Sequence, residues 1–387
     1  MSGLRWASEQ VAAITSTGHR LLEANAGSGK TTTVVGKILW HLGVPLGVDE
    51  HGVPVPACPD HLRLGLDQIA AITFTEKAAY DLASKLRKEI RRHAPELLWD
   101  IDRASIGTIH AFCGSVLREH SLRFGVDPGF RVLDERESRL ELKAVVKEVA
   151  LEAAQREEPA ARLLLARYDL DNDFEHSKGV VDYLGAMVRD LRWHRERYDG
   201  WAVGDRLDWA RLDALAGGGD AKDADSAEVC DALVMLGRRA VERWEAYLAA
   251  ENLKDFDALI LDCRDRLLDP RGQPALASIR SRARLLIIDE FQDTDSAQRD
   301  IAFRIAGLDG SPVNGTAPQL FLVGDPKQSI YGFRGADIAV WNEVAAAVGA
   351  PLSLSRNYRS VPAVVDYVNQ AAGSVIAEAG REASAEL

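Results

Sequence analysis

Short apolar runs alternate with amphipathic stretches along the first hundred residues of the chain. Arg20–Ala24 reads as a buried strand ending in small residues, and Gly29 to about Leu42 reads as a helix. Gly43–Gly65 carries Pro45, Pro54, Pro56 and Pro59 among several glycines, which predicts a surface loop. Ile69–Phe74 is a second apolar strand, followed by a helix from about Glu76 to Arg92. Leu285–Ile288 and Leu320–Val323 are two more apolar runs, each followed by acidic residues or glycine. Strands alternating with helices predict a parallel α/β sheet of the doubly wound kind.

Between Phe112 and roughly Leu253 the period changes. Glu137–Arg156, Val180–Arg197 and Ala227–Ala249 space their apolar residues as helices do, and strand-like runs are nearly absent. This segment reads as a mostly helical insertion, with Ala214–Asp225 as its flexible loop.

Composition refines this picture modestly. At 387 residues the chain exceeds what one compact core usually holds, so two or three domains are expected. The sequence has neither a signal-peptide pattern nor eighteen consecutive apolar residues, so no membrane association is expected. Cys58, Cys113, Cys230 and Cys263 lie far apart without a CxxC pair, which argues against a zinc site or disulfide framework and fits a reducing cytoplasm. The formal charge of −12 disfavours a nucleic-acid partner at first sight. It is a whole-chain sum, however, and a local basic track would suffice.

Two segments carry chemistry. In Ala24-Asn25-Ala26-Gly27-Ser28-Gly29-Lys30-Thr31-Thr32, a glycine-rich turn opens a helix, and its backbone N–H groups make a concave anion site. Lys30 is expected on the β- and γ-phosphates of a nucleoside triphosphate and Thr31 on Mg²⁺. The general motif wants glycine where Ala24 stands. In Leu285–Thr294 an apolar strand ends in adjacent carboxylates beside the phosphate loop. Asp289 can hold Mg²⁺, usually through water, and Glu290 can orient and deprotonate an attacking water.

With these sites in view, residues 5 to about 362 resemble the N-terminal portion of a UvrD/Rep-type superfamily 1 helicase, nearest in wording to the exonuclease V β-subunit (RecB/AddA) branch. The AxxGSGKT form of the phosphate loop accounts for Ala24, and Asp289–Thr294 is the DEFQDT motif. Gln10 matches a glutamine that reads the adenine edge. Thr73-Phe74-Thr75-Glu76-Lys77-Ala78-Ala79 and Gly107-Thr108-Ile109-His110-Ala111-Phe112-Cys113 resemble strand-binding motifs. Val323–Ala336 matches the motif linking ATP state to DNA grip, and Asn357-Tyr358-Arg359-Ser360 matches the opening motif of a second RecA-like domain.

The resemblance implies ATP and Mg²⁺ as cofactors, and DNA contacts from Thr73, Phe74, Thr75, Thr108, His110, Tyr331, Phe333 and Arg334. Phe333, and Phe74 likewise, offers a flat face on which any base can stack. Gln328 would sense the γ-phosphate, Tyr358 would stack on adenine, and Arg359 would act as an arginine finger. Lys85, Arg87, Lys88, Arg91 and Arg92 form a basic helical run that reads foremost as a solvated face.

The expected architecture is a RecA-like P-loop NTPase domain (1–112 and 254–345), a helical insertion (113–253), and the start of a second RecA-like domain (346–387). The implied function is an ATP-driven DNA helicase or translocase of repair and recombination, tracking 3′ to 5′ on single-stranded or tailed duplex DNA. A nuclease or helicase partner subunit of an exonuclease V-like complex is implied as well. The alternative is a nucleotide-gated DNA-binding or regulatory module without unwinding activity. The family's later motifs, a second arginine finger among them, are expected beyond Leu387, and Arg359 is expected to be loosely held in this piece.

Overall fold

The computed structural model describes residues 5–171, 178–194, 224–310, 317–329 and 338–372. They fall into two compact units, Met1–Val116 with Cys263–Leu387, and Leu117–Asp262.

The first unit is built on a six-stranded, wholly parallel sheet. Its strands are β1 (Arg20–Ala24), β2 (Ile69–Thr73), β3 (Ser105–Thr108), β4 (Leu285–Ile288), β5 (Gln319–Gly324) and β6 (Leu352–Leu354), in spatial order β6-β1-β5-β4-β2-β3. Every residue of β2 and β4 is buried, as expected of strands covered on both faces. Helix α1 (Ser8–Thr15) precedes β1, and α2 (Lys30–His41) follows it. Helix α3 (Glu76–His93) follows β2, and α4 (Ile109–Glu119) follows β3. The N-cap side chain of α3, Thr75, accepts the Ala78 N–H at 3.1 Å, so the strand-to-helix turn is held locally. Leu82, Leu86 and Ile90 then turn one apolar face of α3 onto the sheet.

Two sequence expectations shift here. The strand Leu352–Leu354 lies in the segment assigned to a second domain, yet it pairs in parallel with β1 and extends this sheet. Leu354 is buried in the sheet core, which gives the strand its place. The proline-rich stretch 43–65 is anchored rather than a plain surface loop. Val48–Asp49 pairs with Arg5–Trp6, and the indoles of Trp6 and Trp40 donate to the carbonyls of Leu46 and Pro56 at 2.9 and 2.8 Å. Trp6, Ile14, Trp40 and Cys58 form a small separate core beneath it.

The second unit is helical: α5 (Glu135–Gln155), α6 (Pro159–Leu165), α7 (Val180–Trp193) and α8 (Ala224–Ala250) share one apolar core that includes Val149, Leu164, Leu184 and Trp244. Asp134 and Glu137 close a reciprocal capping box at the start of α5. Arg192 makes two hydrogen bonds to the buried Asp255, at 2.7 and 3.1 Å, and the Trp244 indole donates to the same carboxylate at 2.9 Å. This unit reaches Asp262, beyond the expected end at residue 253. The reason is that Asp255 is buried in its core and Leu253–Lys254 pairs with Arg131–Val132. The proposed loop Ala214–Asp225 lies almost wholly outside the described residues.

Candidate nucleotide site and strand-end motifs

At the carboxyl end of β1 the chain turns through Asn25–Gly29 into α2. Gly27 and Gly29 hold φ of +77° and +86°, a left-handed conformation that side-chain-bearing residues adopt only with strain. Gly27 is also needed for space: a Cβ there would lie 2.7 Å from Arg359 Cβ and 2.9 Å from Asn357 Oδ1. The loop and its surroundings enclose a cleft of about 250 Å³. Gly27, Gly29, Lys30, Thr31 and Thr32 line one side, and Lys85, Glu290, Tyr358 and Arg359 line the other. Ser28 Oγ is buried with no hydrogen-bond partner, a hydroxyl able to donate to a phosphate oxygen.

The acidic motif lies on β4, two strands from β1, with β5 between them. The Asp289 N–H donates to the Ile72 carbonyl at 2.9 Å, continuing the ladder, and the chain then bends at Glu290. Glu290 has a φ of +53°, one of the few such values outside glycine, so its position is held against backbone preference. Lys30 Nζ donates to Glu290 Oε2 at 2.8 Å.

Gln292 organises the remaining acids. Its Nε2 donates to Glu290 Oε2 at 3.0 Å and to Asp293 Oδ2 at 3.1 Å, while its Oε1 accepts the Asp325 N–H at 2.9 Å. Asp325 Oδ2 in turn accepts from Gln328 Nε2 at 2.7 Å. A hydrogen-bonded chain therefore runs from Lys30 through Glu290, Gln292 and Asp325 to Gln328. Lys327 adds a second link to the loop segment, donating to Asn25 Oδ1 at 3.0 Å and Glu23 Oε1 at 3.2 Å.

Burial, then the neighbouring Glu290 charge, pushes the Asp289 carboxyl up to about 6 and does the same to Asp293. A buried carboxylate of this kind gains from a divalent cation. A hydroxyl from Thr31 and a carboxylate from Asp289 are hard oxygen donors, suited to Mg²⁺ that draws its remaining ligands from phosphates and water. Among the described residues no group of three or more His, Cys, Asp or Glu forms a protein-only metal cage.

Gln10 and Tyr358, expected at the adenine, both lie near Gly29. Gln10 Nε2 donates to Thr33 Oγ1 at 3.3 Å, and its amide nitrogen would be 3.0 Å from a Cβ on Gly29, with the Tyr358 ring 3.9 Å from the same point. Tyr358 is half exposed, with the Arg356 guanidinium 5.3 Å from its ring centre. The Tyr358 N–H donates to the Gly27 carbonyl at 2.8 Å, and Asn357 Nδ2 donates to the Ala26 carbonyl at 3.1 Å. Arg359, expected to be loosely held, borders the cleft, and its N–H donates to Oδ1 of the loop-bound Asn357 at 2.8 Å.

The two segments expected to bind the strand meet at adjacent strand ends, where Thr73 of β2 pairs in register with Thr108 of β3. Thr73 Oγ1 donates to the Thr75 carbonyl at 3.0 Å, and Thr108 Oγ1 donates to Glu76 Oε1 at 3.0 Å. Burial lowers the affinity of His110 for a proton, so at neutral pH it is a neutral imidazole rather than a cation for phosphate. Phe74 is half-buried. Tyr331, Phe333 and Arg334 lie outside the described residues.

The structure thus gathers the phosphate loop, Glu290, Tyr358 and Arg359 at one cleft, with Gln10 beside Gly29 and Asp289 buried next to Glu290. Gln328 does not border that cleft, because its amide is bonded to Asp325. Sequence reasoning missed Gln292 and Asp325 as network members, and it read Lys85 as part of a solvated run. The one signal for Lys85 was its place on the helix directly after β2, but its orientation needed the fold.

A parallel sheet with a phosphate loop at one strand end and an acid pair at a nearby one defines a RecA-like P-loop NTPase fold. Residues 6–348 match the family model described as the UvrD/REP helicase N-terminal domain, and the chain belongs to that family. It is similar to an ATP-dependent helicase/nuclease subunit of Exiguobacterium sibiricum, 26% identical over 97% of this chain and 40% of that protein. ATP-dependent DNA helicase UvrD1 of Mycobacterium leprae is 27% identical over 92% of this chain and 37% of its own length. RecBCD enzyme subunit RecB of Mycolicibacterium smegmatis is 26% identical over 89% of this chain and 29% of its own length. The chain therefore spans about two fifths or less of these relatives. Among the described residues no helix is long and apolar enough to cross a membrane.

Proposed function

We propose that this chain is the nucleotide-binding motor portion of a cytoplasmic, ATP-dependent DNA helicase or translocase. The observation that carries the reading is the Lys30–Glu290 pair at the mouth of the phosphate loop, bordered by Arg359. Triphosphate oxygens would compete for the Lys30 ammonium and free Glu290 Oε2 to accept a proton from water. As that water's oxygen attacks the γ-phosphorus, the bond to the β-phosphate oxygen breaks, giving ADP and phosphate. Mg²⁺ on Thr31 and Asp289 would supply positive charge for the phosphate oxygens. Lys30 and Arg359 would stabilise charge on the transferring group, and Gln10 and Tyr358 would hold the adenine.

The hydrogen-bonded chain from Glu290 to Gln328 supports coupling between hydrolysis and the segment that follows Gln328, where Tyr331, Phe333 and Arg334 would grip the strand. Thr73, Phe74, Thr75, Thr108 and His110 would form the other part of the DNA track, with 3′ to 5′ movement as the family reading implies. A partner in a helicase/nuclease complex belongs to the same reading, since the relative from Exiguobacterium sibiricum is a subunit by name. The test is ATP turnover with and without single-stranded DNA, in wild type and Glu290→Gln. Turnover stimulated by DNA and abolished in the variant, with ATP binding intact, is expected. Retained turnover in Glu290→Gln would refute the assignment of the base.

A further inference from the structure

Lys37 lies two turns into the phosphate-loop helix α2 and is only 1% exposed, a rare position for an ammonium. Its partners are the carbonyls at the carboxyl end of α1: Nζ donates to Ile14 O at 3.1 Å, to Ser16 O, and to Ser16 Oγ at 3.3 Å. The rings of Phe321 and Trp40 flank it at 5.2 and 5.4 Å. A helix terminus presents unsatisfied carbonyls and partial negative charge, which suits this contact. One residue earlier, Gly36 lets α1 lie directly on α2, since a Cβ there would meet Ile14 Cδ1 at 2.6 Å and Trp6 Cη2 at 2.7 Å. The other end of α1 is fastened to α2 by the hydrogen bond from Gln10 to Thr33. Thr33 and Lys37 stand four residues apart, on one face of α2.

We propose that Lys37 is a positioning residue of the base subsite: by tethering the carboxyl end of α1 to the phosphate-loop helix, it fixes where Gln10 meets the base. The inference rests on the nucleotide reading given above. An aliphatic side chain would fill the same space without burying an amine, so packing alone does not account for lysine here. Burial pushes its amine down to about 7. The phosphate contacts would come from the loop and the start of α2, not from α1. Loosening α1 should therefore reduce base discrimination and leave phosphate binding in place.

The test uses the full 387-residue chain with Mg²⁺ and three probes: ATP, CTP and inorganic triphosphate. Lys37→Met should lower the ATP-to-CTP affinity ratio about tenfold, on the scale of one hydrogen bond to the base, with triphosphate affinity unchanged. Gln10→Ala should lower the ratio to the same degree, and the double variant should lower it no further. A wild-type ratio in Lys37→Met, or an equal loss for all three probes, would overturn the proposal; the second result would mark Lys37 as a general core residue. Should Lys37→Met not fold, Lys37→Gln, with a shorter reach, takes its place under the same criteria. Wild-type protein that binds none of the probes would overturn the nucleotide reading, and this inference with it. A wild-type preference for ATP that survives in both Lys37 variants would overturn this inference alone.

Discussion

Replacing Gln292 with glutamate changes one nitrogen to oxygen at the centre of the acid network. The side chain is 3% exposed, so solvent cannot absorb the change. The acceptor that receives the Asp325 N–H is retained, but the atom that donated to Glu290 and Asp293 becomes a third carboxylate oxygen, 3.0 and 3.1 Å from theirs. Two hydrogen bonds to charged groups are lost, each contributing about 1.5–3 kcal/mol. Carboxylates this close cannot all ionise, so the cluster should retain a proton. Its folded-state affinity for that proton then exceeds the unfolded value near 4.3 for glutamate. The native state binds the extra proton, so the destabilisation relative to wild type is small near pH 4 and grows as pH rises. We expect a loss of about 3 kcal/mol at pH 8 in urea titration, and less at pH 6. In the pH–rate profile of ATP hydrolysis, the acidic limb should move to higher pH, because the added carboxylate makes the cluster hold a proton that must leave before the attacking water is deprotonated. Unchanged stability at pH 8 together with a wild-type profile would show that Gln292 does not organise these acids.

Three further substitutions probe other parts of the chain. In the helical unit, Arg192→Ala leaves Asp255 buried without its cation and should cost about 3–5 kcal/mol in chemical unfolding; a loss below about 1 kcal/mol would contradict the pairing. Gly27→Ala forces a side chain into left-handed backbone, at about 1–2 kcal/mol, and displaces Asn357 and Arg359, so ATP affinity should fall while the fold persists. Calorimetric titration with unaltered ATP affinity would count against that placement. Because burial lowers the Lys37 amine to about 7, the unfolded chain binds one more proton between that pH and about 10. As pH rises through that window, wild type should therefore gain stability relative to Lys37→Met by up to about 1.4 kcal/mol per pH unit; a pH-independent difference would refute it.

The local signals were legible in the sequence because each depends on a few neighbouring residues. Glycines at 27 and 29 before Lys30 announced a turn opening a helix, and that turn is found, with both glycines in left-handed backbone. Apolar runs at 69–74, 285–288 and 320–323 announced buried parallel strands, and these are β2, β4 and β5 to within a residue or two. The helical period between Phe112 and Leu253 likewise announced the second unit's helices.

Tertiary structure alone decided what depends on strand order and side-chain direction. Sequence could pair Lys30 with Glu290 only through a motif; the sheet order places their strands two apart and the side chains 2.8 Å from each other. Gln292 lies within the Asp289–Thr294 motif, but its linking role has no local sign, because its partners Glu290 and Asp325 are brought together by the β4–β5 pairing. Lys85 and Arg91 look alike as members of a basic run, and only the turn of α3 against the sheet sets Lys85 beside the cleft. Leu352–Leu354 could begin a new domain or complete an old sheet equally well by pattern; the open edge of β1 decided for the sheet. Nothing in the sequence pattern singles out Lys37; α1 covers it because Gly36, whose missing side chain lets the two helices touch, stands beside it.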